Sequence, residues 1–157
     1  MTGLRSGAAA VKAACVVPDW PAPPNVVAFS TTRRGGYSQA PYTALNLAVH
    51  VDDCLETVWA NRALLREAWA LPAEPYWLRQ VHGTAVVPVG AVAGTAADGS
   101  WSARPHAISA VLTADCLPVL LCDDTGRYVA AVHAGWRGLA AMILSRTVAA
   151  LPVAPQA

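Results

Sequence analysis

The sequence predicts an α+β protein in which helices cover the faces of a sheet. A single amphipathic segment stands in the first half of the chain. Short apolar runs separated by Gly, Asp and Pro fill the second half, which then ends in an apolar helical segment. The chain has 157 residues, of which 55% are hydrophobic, so it is long and apolar enough to bury a core.

The charge balance argues against polyanionic partners. A formal net charge of +1 provides no basic face for nucleic acid or for an anionic membrane, so we expect neither as a partner. The four cysteines form no C-x-x-C pair, which favours reduced thiols in a cytoplasm. The Ala-rich start is interrupted by Lys12 and does not read as a signal peptide.

The N-terminal segment is expected to be loosely ordered. Residues 1–24 are predicted to form a flexible N-terminal lead-in segment that ends in a cluster of four prolines. Residues 25–157 are predicted to form a single domain. A strand is predicted at 26–30, followed by a loop at 31–46 that is rich in Gly, hydroxyl and amide side chains.

The amphipathic segment predicts a helix over 54–70. Asp53 and Glu56 stand three residues apart and form a variant of the capping box at its start. Five apolar positions fall roughly on one helical face: Leu55, Val58, Trp59, Leu65 and Trp69.

The second half predicts five strands and one helix. The strands are expected at 77–81, 85–89, 108–113, 118–122 and 128–133. The segment 89–100 reads as a connector. The last helix is predicted over 139–151 and is stopped by Pro152.

Three residues at the ends of these apolar runs form a candidate metal set. They are His82, Cys116 and His133. Two imidazoles and one thiolate suit zinc, and three protein ligands leave a fourth position for water or substrate. Their spacing matches no short metal motif, so three unrelated structural residues are the alternative at this point.

Several motifs in the same order resemble one known family. They are STTRRGG at 30–36, PYTALNL at 41–47, NR at 61–62, QVHG at 80–83, TADCLPV at 113–119 and HAGWRG at 133–138. Together they closely resemble the YfiH-type family, whose members are called laccase-domain, polyphenol oxidase or peptidoglycan editing factor proteins. The resemblance covers about Val26 to Val148. It implies an αββα-type sandwich and a zinc ion held by His82, Cys116 and His133.

The resemblance further implies a cytoplasmic, metal-dependent enzyme whose partners are a purine nucleoside and phosphate. The implied activities are phosphorolysis of adenosine, inosine or methylthioadenosine, and deamination of adenosine. The alternative is an amidase that edits peptidoglycan precursors, using activated water or the Cys116 thiol as nucleophile. Zinc is expected rather than copper, because the four histidines form no His-x-His pair.

Four further residues receive candidate roles in catalysis or substrate binding. Arg33 stands in a loop near two glycines and is expected to bind phosphate. The alternative is that Arg33 is an exposed residue that forms a salt bridge. Arg137 either binds substrate or locks its turn by bonding to carbonyls. Asn46 either touches the ribose or holds its loop. Asp115 either orients a ligand imidazole or acts as a general acid/base.

The length of the chain differs from the family pattern. Members of the YfiH-type family continue beyond the helix that follows HAGWRG, whereas this sequence stops at Ala157. We therefore expect a C-terminally truncated member that lacks part of its domain, and an inactive fragment is an alternative to an enzyme. Such a chain would expose an apolar patch where the remainder docks.

Overall fold

The computed structural model describes residues 2–92 and 94–153. They divide into two compact units, of which the first comprises 2–19 with 28–74 and the second 20–27 with 75–92 and 94–153. Within the described ranges, no helix combines the length and the apolar character that crossing a membrane requires.

The first unit is built on two packed helices, α1 (Thr2–Ala13) and α2 (Leu55–Trp69). Val11 of α1 and Val58 and Leu64 of α2 are almost fully buried. The expectation of a flexible lead-in over 1–24 is therefore wrong for α1, because an Ala-rich stretch has high helix propensity and finds an apolar partner in α2. Met1 lies outside the described residues.

Helix α2 is confirmed, but its predicted capping box is wrong. The N-cap is Cys54, and no side chain caps the helix. The Asp53 carboxylate instead accepts hydrogen bonds from Ser38 Oγ at 2.7 Å, Asn46 Nδ2 at 2.9 Å and the Cys54 backbone N–H at 2.8 Å. Bonds to the preceding loop therefore occupy the group that would have capped α2.

The buried face of α2 is more polar than predicted. Leu55 and Trp59 are 53% and 55% exposed, whereas Asn61 and Arg62 are buried. Arg62 donates from Nε and Nη2 to the Leu47 carbonyl at 2.9 and 2.7 Å. Burial of these polar groups is tolerated because their hydrogen bonds are satisfied.

Asn61 fixes the loop that precedes α2. Its Nδ2 donates to Ser38 Oγ and to the carbonyls of Ala44 and Asn46, and its Oδ1 accepts from the Tyr37 N–H at 2.8 Å. One buried amide thus satisfies backbone groups across residues 37–46. The strand predicted at 26–30 is not formed, and Ser30 makes only an isolated bridge with Val16.

The second unit contains a four-stranded sheet of order β1-β2-β4-β3. Its strands are β1 (Val86–Pro88), β2 (Gly99–Ser102), β3 (Leu117–Cys122) and β4 (Val129–Ala134). β1 and β2 are parallel, and the other two pairs are antiparallel. The strands predicted near 85–89, 118–122 and 128–133 are confirmed. Those at 77–81 and 108–113 are wrong, because these segments contribute only isolated bridges.

Strand β2 begins at the end of the predicted connector and extends beyond it to Ser102. Its Gly-Ser-Trp-Ser sequence has low β propensity, yet Ser100 is fully buried. Ser109 Oγ donates to the Ser100 carbonyl at 2.7 Å and accepts from the Ala131 N–H at 3.2 Å. Hydrogen bonds from outside the strand therefore support β2.

Two short helices replace the single helix predicted at 139–151. They are α3 (Trp136–Ala140) and α4 (Ile143–Ala150), separated at Met142, where φ is 67°. α4 packs against β1 and β4 through the fully buried side chains of Ile143 and Thr147. A sheet flanked by helices confirms the α+β class.

β3 is an edge strand of this sheet and carries a proline. Pro118 stands opposite His133 of β4. The His133 N–H points away from β3, since it donates to the Asp98 carbonyl at 2.7 Å. Pro118 therefore occupies a position that forms no hydrogen bond to β4, where its missing N–H costs the sheet nothing.

Candidate metal centre

The structure brings His82, Cys116 and His133 together. One ligand atom from each lies within 4.8 Å of the other two, and the two imidazole rings meet edge to face with centroids 4.7 Å apart. Over residues 2–92 and 94–153, no other group of three or more His, Cys, Asp or Glu side chains meets as closely. His133 is buried, Cys116 is half-buried and His82 is exposed, so the cluster opens to solvent on the His82 side.

The pairing of β3 with β4 places two of these ligands. Cys116 directly precedes β3, whose Leu117 stands opposite Ala134, and His133 is the neighbouring residue of β4. His82 arrives from a loop in which its φ is 58°. This left-handed conformation is uncommon for a residue with a side chain and requires support from its surroundings.

A fully buried carboxylate, Asp98, supplies that support. Its Oδ1 accepts from the His82 N–H at 2.9 Å and lies 2.8 Å from His133 Nδ1, while its Oδ2 accepts from the N–H groups of Val81 and Gly83. Burial raises the pKa of Asp98, but these hydrogen bonds outweigh burial and leave the pKa below its ordinary value. The carboxylate form is therefore favoured.

Gly135 leaves room for the three ligands. A Cβ built on Gly135 would lie 3.1 Å from Cys116 Sγ, 3.2 Å from His82 Cδ2 and 3.6 Å from His133 Cε1. The first two distances are too short for ordinary packing. A side chain where the chain turns from β4 into α3 would therefore press on Cys116 and His82.

Asp115 is exposed beside Cys116. Burial raises the pKa of the Cys116 thiol, and the Asp115 carboxylate raises it further. The carboxylate that contacts the His133 imidazole is that of Asp98, whereas the role of Asp115 stays a prediction. The sequence alone could not identify this carboxylate, since Asp98 and His133 meet only when β2 and β4 pair.

Arg137 lies in α3, two residues after Gly135. Its guanidinium carbon lies 5.2 Å from the ring centroid of Trp136, which is 72% exposed. Among the described residues its side chain donates no hydrogen bond, so it does not lock the turn through carbonyls. Arg137 therefore remains a candidate for substrate binding.

Arg33 and Asn46 belong to the first unit. The exposed Arg33 donates from Nε to the Thr43 carbonyl at 2.5 Å, and in the described part of the chain it forms no salt bridge. Asn46 Nδ2 donates to Asp53 and to the Ala48 carbonyl, and its Oδ1 accepts from the Ala48 N–H. These bonds support the loop-holding alternative for Asn46.

Asp98 is the residue that sequence reasoning missed. It stands in the segment 89–100, which was interpreted as a connector because it is rich in Gly and Ala. Asp98 is the one charged residue between positions 90 and 103. The sequence did carry one signal for it. A single carboxylate in such a stretch, upstream of a histidine that is predicted to bind metal, indicates a partner for that histidine.

The residues present fit a bound metal ion. Two imidazoles and a thiolate are the donor types that zinc prefers, with ligand atoms about 2.0–2.3 Å from the ion. The contact of His133 Nδ1 with a carboxylate is the usual support for a metal-binding histidine. A single site with three protein ligands is thus chemically consistent with this cluster.

Comparison with known proteins identifies close relatives. The chain is 53% identical over 140 residues to the purine nucleoside phosphorylase PA4543 of Pseudomonas aeruginosa, covering 89% of this chain and 57% of that protein. It is 48% identical over 143 residues to the purine nucleoside phosphorylase YfiH of Escherichia coli K12, covering 90% and 59%. The chain thus spans less than two thirds of the length of these relatives.

Solved structures share the fold. The Neisseria meningitidis protein NMB0706 matches with a TM-score of 0.83 and 48% identity, over 89% of this chain and 58% of that one. YlmD from Geobacillus stearothermophilus matches with a TM-score of 0.71 and 30% identity, over 80% and 52%. The family model described as multi-copper polyphenol oxidoreductase laccase matches residues 27–157. The chain therefore belongs to this laccase-domain family, the YfiH family that its motifs resemble.

Proposed function

We propose that the chain is a zinc-dependent purine nucleoside phosphorylase. In this reaction a phosphate oxygen attacks C1′ of the nucleoside, the bond from C1′ to the purine breaks, and the base leaves with a proton. The proposed substrates are adenosine, inosine and methylthioadenosine. The observation that carries the proposal is the convergence of His82, Cys116 and His133 into one solvent-accessible cluster. Relatives that are 48–53% identical are named purine nucleoside phosphorylases, which supports the substrate class.

Zinc is the proposed metal, held by His82, Cys116 and His133. The donor set supports zinc, and copper is the alternative that the description of the family model raises. When bound, the metal supplies a Lewis acid beside the substrate. Because Cys116 must stay reduced to bind it, the proposal includes a reducing compartment such as the cytoplasm.

The remaining roles follow from the surroundings of each side chain. Arg33 binds phosphate, since its Nε contacts Thr43 while its two terminal nitrogens stay available for a bidentate contact. Asn46 holds its loop. Arg137 contacts the substrate from α3, and Asp115, exposed beside Cys116, exchanges a proton with it.

Phosphate dependence tests this proposal. We expect zinc-loaded protein to release adenine from adenosine and hypoxanthine from inosine only when phosphate is present, with one sugar phosphate formed per base. Cys116→Ala should abolish the activity. Ammonia release without phosphate would instead identify a deaminase. Absence of both activities in zinc-loaded protein would contradict the proposal and favour the precursor-editing amidase or an inactive chain.

A further inference from the structure

We propose that Asp98 is the positioning residue of the metal centre and that this one carboxylate orients both histidine ligands. The inference rests on the proposed zinc site. Asp98 stands immediately before β2, and its side chain is completely buried. It lies between the loop that carries His82 and the strand that carries His133.

Four donors converge on the two carboxylate oxygens. Oδ1 receives the His82 N–H and the His133 imidazole, and Oδ2 receives the N–H groups of Gly83 at 2.7 Å and Val81 at 3.2 Å. A carboxylate accepts about four hydrogen bonds and donates none, so its capacity is filled. No other side chain type of this size could accept all four.

The contact with His133 determines which ring nitrogen can bind metal. An ionised carboxylate requires a donor at Nδ1, so the neutral His133 ring carries its proton there. The lone pair is then on Nε2. A backbone hydrogen bond also holds β4 beside Asp98, since the His133 N–H donates to the Asp98 carbonyl at 2.7 Å.

The contacts with residues 81–83 hold the second histidine. His82 has a φ of 58°, a conformation that costs of order 1–3 kcal/mol for a residue with a side chain. Three consecutive N–H groups directed at one buried carboxylate offset this strain. Asp98 therefore places the His82 backbone by the same interaction that sets the His133 tautomer.

The wild-type protein provides the first test. We expect NMR of ¹⁵N-histidine-labelled, metal-free protein to show His133 protonated on Nδ1. A His133 ring protonated on Nε2 would overturn the proposal. This measurement needs no zinc, so it decides the role of Asp98 even if the proposed metal site itself fails.

The second test is the Asp98→Asn variant. An asparagine keeps the size of the side chain but directs an NH₂ group at N–H donors. We expect zinc affinity, measured by competition with a chromogenic chelator, to fall about 10- to 100-fold, with a changed His133 tautomer. The control is Asp123→Asn, whose carboxylate accepts the Tyr128 N–H at 2.7 Å in the turn between β3 and β4.

The control separates positioning from general destabilisation. Both variants lose a carboxylate that accepts backbone N–H groups, but only Asp98→Asn should weaken zinc binding and alter the His133 signals. Equal zinc affinities in Asp98→Asn and wild type would overturn the proposal, as would an equal loss in Asp123→Asn. If Asp98→Asn does not fold, the His133 tautomer that NMR shows in the wild-type protein decides whether the proposal holds.

Discussion

Gly135 lies directly against Cys116. A Cβ on Gly135 would come within 3.1 Å of the Cys116 sulfur, and the neighbouring ring of His82 would be only slightly farther away at 3.2 Å. The turn between β4 and α3 therefore forms one wall of the proposed metal site. Its backbone approaches the ligands so closely that an added Cβ would press on two of them.

We predict that Gly135→Ala weakens zinc binding by about 10-fold or more, because the added methyl displaces two ligands from the geometry that tetrahedral coordination requires. Chelator competition measures the effect. Gly7→Ala is the matched control, since a Cβ there meets only ordinary contacts at 3.5 Å or beyond, and it should leave zinc affinity unchanged. Undiminished affinity in Gly135→Ala would contradict this prediction.

The two cysteines at opposite ends of β3 should differ in metal binding. Cys116→Ala is expected to lose stoichiometric zinc, because only two imidazoles remain to hold it. Cys122→Ala, at the opposite end of the same strand, should retain one zinc per chain. Elemental analysis after dialysis provides the measurement. Equal zinc contents in both variants would remove Cys116 from the ligand set.

Replacing Asn61 should destabilise the first unit. Asn61→Ala leaves the part-buried Asn46 carbonyl without a donor and the Tyr37 N–H without an acceptor, and it leaves the Ala44 carbonyl with the Ser38 N–H alone. We expect a loss of about 2–4 kcal/mol in the free energy of unfolding, measured with urea.

The control for this prediction is Asn25→Ala. The exposed Asn25 side chain also donates to two backbone carbonyls, those of Thr125 and Gly126. Since water replaces those bonds, the variant should lose less than about 1 kcal/mol. A similar small loss in Asn61→Ala would show that its network contributes little.

Asp53 should make stability depend on acid pH. Hydrogen bonds from Asn46 and Ser38 hold the pKa of the Asp53 carboxyl below its ordinary value. The carboxylate therefore stabilises the fold above the pKa of an unfolded aspartate, about 3.9, and this contribution is lost as pH falls through the lower folded-state pKa. Asp53→Asn removes this stabilising contribution of the carboxylate at every pH.

Thermal unfolding between pH 7 and pH 2.5 checks this dependence. The difference in melting temperature between wild type and Asp53→Asn should be constant near neutrality and shrink below about pH 4. Asp52→Asn, at the exposed neighbouring position, should follow wild type throughout. A difference that stays constant into strong acid would contradict the prediction.

Arg33→Ala should raise the KM for phosphate about 10- to 100-fold, because the proposed bidentate contact with the anion is lost. The adjacent Arg34 is exposed as well, and Arg34→Ala should change this KM little. Steady-state assays at varied phosphate make the comparison. Equal effects in both variants would indicate general electrostatic attraction instead of a specific phosphate contact.

The sequence predicted those features that depend on local patterns. Helix α2 follows from apolar residues at helical spacing, and β4 follows from an uninterrupted apolar run. The burial of Asn61 was not predictable in this way. Its hydrogen-bond partners lie in the preceding loop, and periodicity treats a polar residue as exposed regardless of such partners.

The candidate site was predictable to a similar extent. Motifs identified His82, Cys116 and His133, which the structure brings together. Asp98 was missed because its function depends on contacts with two distant segments. β2 was missed because buried serines replace the apolar residues that normally mark a strand.

Pro118 has a consequence for the outer side of β3. It turns its imide nitrogen away from β4, toward the open edge of the sheet formed by the described residues. A β-strand that paired with that edge would find no backbone N–H at Pro118, two residues after Cys116, where regular pairing requires a hydrogen-bond donor. The edge next to Cys116 thus offers a pairing β-strand one hydrogen-bond donor fewer than a regular edge strand would.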